Sequence, residues 1–195
     1  MRLVRCRAII HSIAMFDLKE VIKKSLTDIR VELTEEFDQN FVRKAFFTEA
    51  WQRKKWDDGK ELLLNSGHLR QSILSELDAN SLEFYSSLIY AGIHDEGGEI
   101  IVTERMKKYF WARYYKAAGN VTKKKSGAPS QSQRNLRLNG EADFFKYMAL
   151  KKVGSKIIIP QRQFIGPHIK TDEIIRTIVL ARLDEYFTNN NIINK

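Results

Sequence analysis

His94, Asp95 and Glu96 set an imidazole beside two carboxylates, the residue types from which metal sites and acid–base pairs are built. Their adjacency works against both uses. Consecutive side chains do not converge on one point, and no His-x-x-x-His or paired-carboxylate spacing accompanies them. His68 and His168 would join such a site only if the fold gathered them. His94 therefore reads as a hydrogen-bonded structural histidine. Cys6 has no neighbour of the kind that activates a thiol, and Ser66 and Ser72 stand outside any Gly-x-Ser-x-Gly turn. A glycine-rich phosphate loop is absent too, so the sequence implies no cofactor. These residues argue against an enzyme, with a small hydrolase using His94 and Asp95 or Glu96 as the catalytic alternative.

The charge is more informative. Lys and Arg number 33 against 24 Asp and Glu, a net charge of +9. Ten of the basic residues lie between Arg105 and Gly140 with no acidic residue among them, which leaves 23 against 24 elsewhere. A block of one sign attracts polyanions or an acidic protein face. Within it the rings of Tyr109, Trp111, Tyr114 and Tyr115 interleave with Lys107, Lys108, Arg113 and Lys116, and Lys123, Lys124 and Lys125 follow. So many rings exceed what one core-facing stripe of a helix needs, and a protein–protein surface accounts for the surplus. Non-specific DNA is the other partner this composition admits.

The elements that would carry these groups can be read from periodicity. Leu18, Ile22, Leu26, Ile29, Leu33, Phe37 and Phe41 recur at steps of three and four, predicting a long amphipathic helix from Phe16 to about Phe47. Thr48 to Lys60 reads as a loop anchored by Trp51 and Trp56, with a turn at Asp57-Asp58-Gly59. A helical turn near Leu69 precedes a β-hairpin over residues 72–89, and a strand follows Gly97-Gly98. Next come a helix from about Thr103 to Ala118 and a basic segment from Asn120 to Gly140 that should be flexible or an exposed loop. A short helix over Ala142–Lys151, an edge strand stopped by Pro160 and a final helix capped by Thr171 complete the order. The layout is α+β: a long N-terminal and a C-terminal helix on a small antiparallel sheet. It reads as one domain over residues 1–195, with 103–150 inserted as a helix and a basic loop.

A chain of 195 residues with 43% hydrophobic side chains can bury a core. It has no run of about 18 apolar residues, so no membrane span is expected. A lone cysteine fits an intracellular folding compartment. The opening MRLVRCRAIIHSIA imitates a signal peptide only faintly, and Met15 is an alternative start.

Three segments, in order, carry a resemblance: Leu64-Asn65-Ser66-Gly67-His68-Leu69-Arg70-Gln71-Ser72-Ile73, Tyr90-Ala91-Gly92-Ile93-His94-Asp95-Glu96-Gly97-Gly98, and Ile159-Pro160-Gln161-Arg162-Gln163-Phe164-Ile165-Gly166. Together they resemble the Mu-like phage virion-morphogenesis family, also called phage tail completion proteins. That likeness implies a structural role for Ser66, Gly67, Leu69, Arg70, Ser72, Tyr90, Ile93, His94, Gly97, Pro160, Arg162, Phe164 and Gly166, with Arg70, Arg162 and Phe164 decisive. It implies a virion protein assembled in the bacterial host cytoplasm, joining a homo-oligomeric ring beside tail or head–tail connector proteins, away from any membrane. The family's usual Arg-Pro-Phe is Arg162-Gln163-Phe164 here, so a different approach to the last helix or an extra hydrogen bond is expected at Gln163. The alternative is a sequence-independent nucleic-acid-binding protein using the basic 105–137 segment.

Overall fold

The structure, a computed structural model, describes residues 5–9, 18–54 and 61–190; Trp56, the Asp57-Asp58-Gly59 turn and Met15 lie outside them. The chain begins with β1 (Arg5–Ile9), α1 (Lys19–Arg43), β2 (Ala45–Phe46), β3 (Glu49–Ala50), α2 (His68–Gln71), β4 (Ile73–Leu77) and β5 (Ser81–Ser86). It continues with α3 (Ala91–Asp95), β6 (Gly98–Ile101), α4 (Glu104–Gly119), α5 (Gln133–Leu150), β7 (Lys156–Ile159) and α6 (Ile169–Asn189). The class is α+β, with small antiparallel sheets. Two compact units emerge: Met1–Trp51 with Ser66–Glu96 and Gln161–Lys195, and Gln52–Asn65 with Gly97–Pro160. Among the described residues no helix is long and apolar enough to cross a membrane.

The first unit is organised by α1. Its stripe residues Leu26, Ile29, Phe37 and Phe41 are fully buried, as the periodicity requires. Each such side chain contributes about 1.5–3 kcal/mol relative to exposure. Phe37 meets Phe84 of β5 edge-on at 5.1 Å, and Phe41 packs on Phe164 at 5.3 Å. Arg182 ties α6 to α1 through Asp28 at 2.6 Å.

The helix is shorter than expected. It stops at Arg43 because Lys44 turns left-handed, with φ 57°. The chain then closes a two-strand hairpin in which Ala45 faces Ala50 and Phe46 faces Glu49, where a continuing helix and a loop were expected. The 72–89 hairpin forms as predicted: β4 and β5 pair from Ile73–Ser86 to Leu77–Leu82, and Asp78 N–H donates to Ser81 O at 2.8 Å across the turn.

The start of the chain adds a strand to which no periodicity pointed. Arg5–Ile9 pairs antiparallel with β5, Cys6 opposite Phe84, making a sheet of order β1-β5-β4. The backbone groups on the outer side of β5 find their ladder partners there.

In the second unit β6 and β7 pair antiparallel from Gly98–Ile159 to Ile101–Lys156, and β7 ends before Pro160 as expected. Phe110, Met148 and Ala149 form the core between α4 and α5, with Met106, Trp111, Phe144, Phe145 and Ile157 packed on it. Thr103 Oγ1 caps α4 by accepting from Met106 N–H at 3.2 Å.

The segment 120–140, expected to be flexible or an exposed loop, is largely exposed and irregular as far as Ser132 and helical beyond it. Helix α5 begins at Gln133, capped by Ser132, and Asn135 is fully buried. Its side chain donates to Thr122 O at 2.8 Å and Ser130 O at 2.7 Å, and accepts from Thr122 N–H at 3.2 Å and Oγ1 at 3.1 Å. A satisfied buried amide does the ordering that apolar side chains do elsewhere.

Candidate functional site

Two of the segments that carry the resemblance meet in the first unit, through His94 and Asp95 of the second and residues 162–165 of the third. His94 O accepts from Arg162 N–H at 2.8 Å. One step on, Asp95 Oδ1 accepts from Phe164 N–H at 2.7 Å and from Ile165 N–H at 3.2 Å. From α1, Asn40 Nδ2 donates to Phe164 O at 3.2 Å, while its Oδ1 accepts from Phe47 N–H at 2.8 Å. The Trp51 indole N–H donates to Gln163 O at 2.7 Å. Residues 162–165 are thus held from three directions, and Phe164 and Ile165 are fully buried beneath the clamp.

The first motif grips α1 and β5. Gly67 takes φ 74° at the start of α2, a conformation that costs glycine little. Leu69 is buried, and Ser66 Oγ accepts from His68 N–H at 3.5 Å. Arg70 forks onto both carboxylate oxygens of Asp38. Ser72 Oγ donates to Leu69 O at 2.8 Å and lies 2.7 Å from Ser86 Oγ.

Electrostatics follow from burial. Desolvation pushes the Asp95 carboxyl up to about 6; the two backbone N–H groups oppose this and neighbouring Glu96 adds to it. Burial, and then the Arg162 cation, hold His94 below its ordinary value, so its imidazole is neutral at pH 7. Burial also lowers Arg162. The Arg70 hydrogen bonds hold Asp38 below the usual carboxylate range.

His94 departs from its expected role. Its Nδ1 is buried with no hydrogen-bond partner among the described residues; the ring instead sits edge-on to Tyr90, 6.1 Å away. Packing and its own carbonyl fix this residue. Ile93 is half-buried and Tyr90 is 43% exposed, so neither is a core anchor. Gly97 adopts φ 73°, in the turn before β6.

Gly166 takes φ 132°, and a Cβ there would lie 2.7 Å from Gln163 Nε2. That amide donates to Ile165 O at 3.3 Å. The last helix starts two residues before Thr171. His168 Nδ1 caps it by accepting from Lys170 N–H at 3.0 Å, because the imidazole is stacked on Phe47 at 4.8 Å. Thr171 is buried inside the first turn, its hydroxyl donating to Gly166 O at 3.4 Å.

The second unit carries the residues expected to bind a partner. Lys107, Trp111 and Tyr115 follow one another at spacing four along α4. Trp111 and Tyr115 stack at 5.9 Å, and Tyr114 meets both edge-on. Tyr109 is 54% exposed while its ring edge meets Phe145. Lys108 and Lys116 are exposed, as are Lys123, Lys124 and Lys125. Arg113 belongs to the inside instead: it pairs with Glu141 of α5 and lies over the Phe145 ring at 5.0 Å. It joins the two helices and is not offered to a partner.

The sequence reading missed Asn40, Asp95 and Trp51 as clamps and Asn135 as a loop anchor. For Asn40 a signal existed, since an amide one residue before Phe41 lies on an otherwise apolar stripe. Among the described residues no group of three His, Cys, Asp or Glu is placed to hold a metal. Compared with known proteins, the chain matches no family model, no curated protein and no solved structure.

Proposed function

We propose that this protein is a non-enzymatic assembly protein of a phage or prophage virion. It completes the tail or the head–tail junction by docking beside connector or tail proteins in a homo-oligomeric ring. One observation carries this reading. The residues through which the chain resembles the virion-morphogenesis family spend their polar groups on the chain itself: Asp95 on Phe164 and Ile165, Arg70 on Asp38, Ser72 on Leu69. Asp95 thereby fixes the approach to α6, and Arg70 and Ser72 fix the α2 turn against α1 and β5, which together shape a docking piece. On α4 the exposed Tyr115, stacked on the half-buried Trp111, supplies aromatic surface of the kind that protein interfaces use.

The test is genetic and visual. Disrupting the reading frame in its phage or prophage and imaging induced lysates should show heads and tails that fail to join, or tails with unfinished ends, restored by the intact chain in trans. Normal infectious particles from the disrupted phage would overturn the proposal.

A further inference from the structure

Helices α4 and α5 run in opposite directions, because Phe110 meets Phe145 while Arg113, one turn later, pairs with Glu141, four residues earlier. Their connection therefore forms one end of a helical hairpin. Lys116 lies in the last turn of α4, Lys123, Lys124 and Lys125 lie in the connection, and Arg134 and Arg137 lie in the first turns of α5. All six are exposed. No carboxylate stands between Arg105 and Gly140, and Glu141, the first one beyond, is taken by Arg113.

The lysine-bearing turn is held in shape. Lys123 bridges to Pro129, Lys124 N–H donates to Ala128 O at 2.7 Å, and Gly127 N–H returns to Lys124 O at 2.9 Å. Beneath it, the fully buried Asn135 makes four hydrogen bonds to Thr122 and Ser130. The cations are thus presented from a preorganised support, which reduces the ordering cost of binding.

We propose that this end of the α4–α5 hairpin docks on the sugar-phosphate backbone of duplex DNA without reading its sequence. Four of the six cations are lysines, a residue depleted at protein interfaces and suited to phosphate as a point charge. The nearby rings argue against a single strand. Trp111 and Tyr115 already stack on one another, so those faces are not open platforms for splayed bases. The inference is independent of the assembly role above.

The experiment uses the full chain and a fluorescently labelled 20-base-pair duplex of arbitrary sequence, with binding read by anisotropy. The expected result is binding at about 50 mM salt that weakens by about 10³-fold by about 200 mM if all six cations meet phosphates. The variant K123E/K124E/K125E should lose at least about tenfold at low salt and have its salt slope roughly halved. The variant K23E/K24E/K146E carries the same net charge with its changes on exposed residues that are not part of the tip, and should bind as the parent does. Circular dichroism confirms folding, and K123Q/K124Q/K125Q reads the same loss if charge reversal disturbs the turn. Each of the following overturns the proposal: no binding at low salt, equal loss in both Glu triples, wild-type binding by the tip variant, or tighter binding of a single strand than of the duplex.

Discussion

Asp95 and Phe164, sixty-nine positions apart in the chain, are joined by a buried 2.7 Å hydrogen bond from backbone N–H to carboxylate. The same oxygen takes Ile165 N–H. This charge is held where water does not reach, and the protein spends stability to keep it ionised.

The pH consequence can be worked through. The folded carboxyl titrates at about 6, above its ordinary 3.8, so its contribution is fully present below about pH 4 and is lost as pH rises to about 6. Asp95→Asn keeps an acceptor for both N–H groups and removes the charge. It should match the parent near pH 4 and exceed it by about 2–3 kcal/mol at pH 7 in urea unfolding. A difference that does not change with pH would refute this.

Asp95→Ala leaves two buried N–H groups without an acceptor. It should cost about 2–4 kcal/mol near pH 4 and about 2–3 kcal/mol less at pH 7, where the parent has already lost the contribution of its carboxyl, and the contrast with Asn separates lost hydrogen bonds from lost charge.

Asn40→Leu places an apolar side chain on an apolar stripe and should still destabilise, by about 2–4 kcal/mol. Phe164 O would lose its donor and Phe47 N–H its acceptor. Unfolding at or above the parent's midpoint would show that the amide holds nothing together.

Arg70→Ala should cost under about 1 kcal/mol despite the forked geometry. Both partners of its pair with Asp38 are about a third exposed, at 34% and 38%, and water screens what burial would strengthen. A larger loss by calorimetry would mean that the α2 turn depends on this pair.

Gly166→Ala separates crowding from backbone strain. The added Cβ meets Gln163 Nε2, a movable side-chain end, but φ 132° is costly for any L residue. A loss of about 1–3 kcal/mol is expected, and Gln163→Ala in the same chain should not restore it. Full recovery in the double variant would assign the cost to the clash alone.

What the sequence disclosed follows from which forces leave a periodic trace. The α1 stripe and the β4–β5 hairpin were legible because apolar residues at spacings of three to four, or of two, mark buried faces. The clamp on residues 162–165 was not. Asn40 and Asp95 act on backbone groups distant in the chain: the place of Asn40 on an apolar stripe marks it as buried, but nothing local says which backbone groups it holds. Asn135 shows the same limit more sharply, since a segment poor in apolar residues reads as disordered when its order comes from one buried side chain. The helix cap was misplaced for a related reason: Thr171 has the better capping side chain by type, but Phe47 holds the His168 ring in position to do it.

The strand at the start of the chain bears on how the protein should be handled. A product truncated before Ala8 would shorten the β1 ladder, and one beginning at Met15 would remove it, leaving Ser81–Ser86 with a bare row of amides and carbonyls along one side. Such a row templates pairing with another copy. Preparations that mix long and short forms would then owe their clumping to a missing ribbon rather than to a damaged interior.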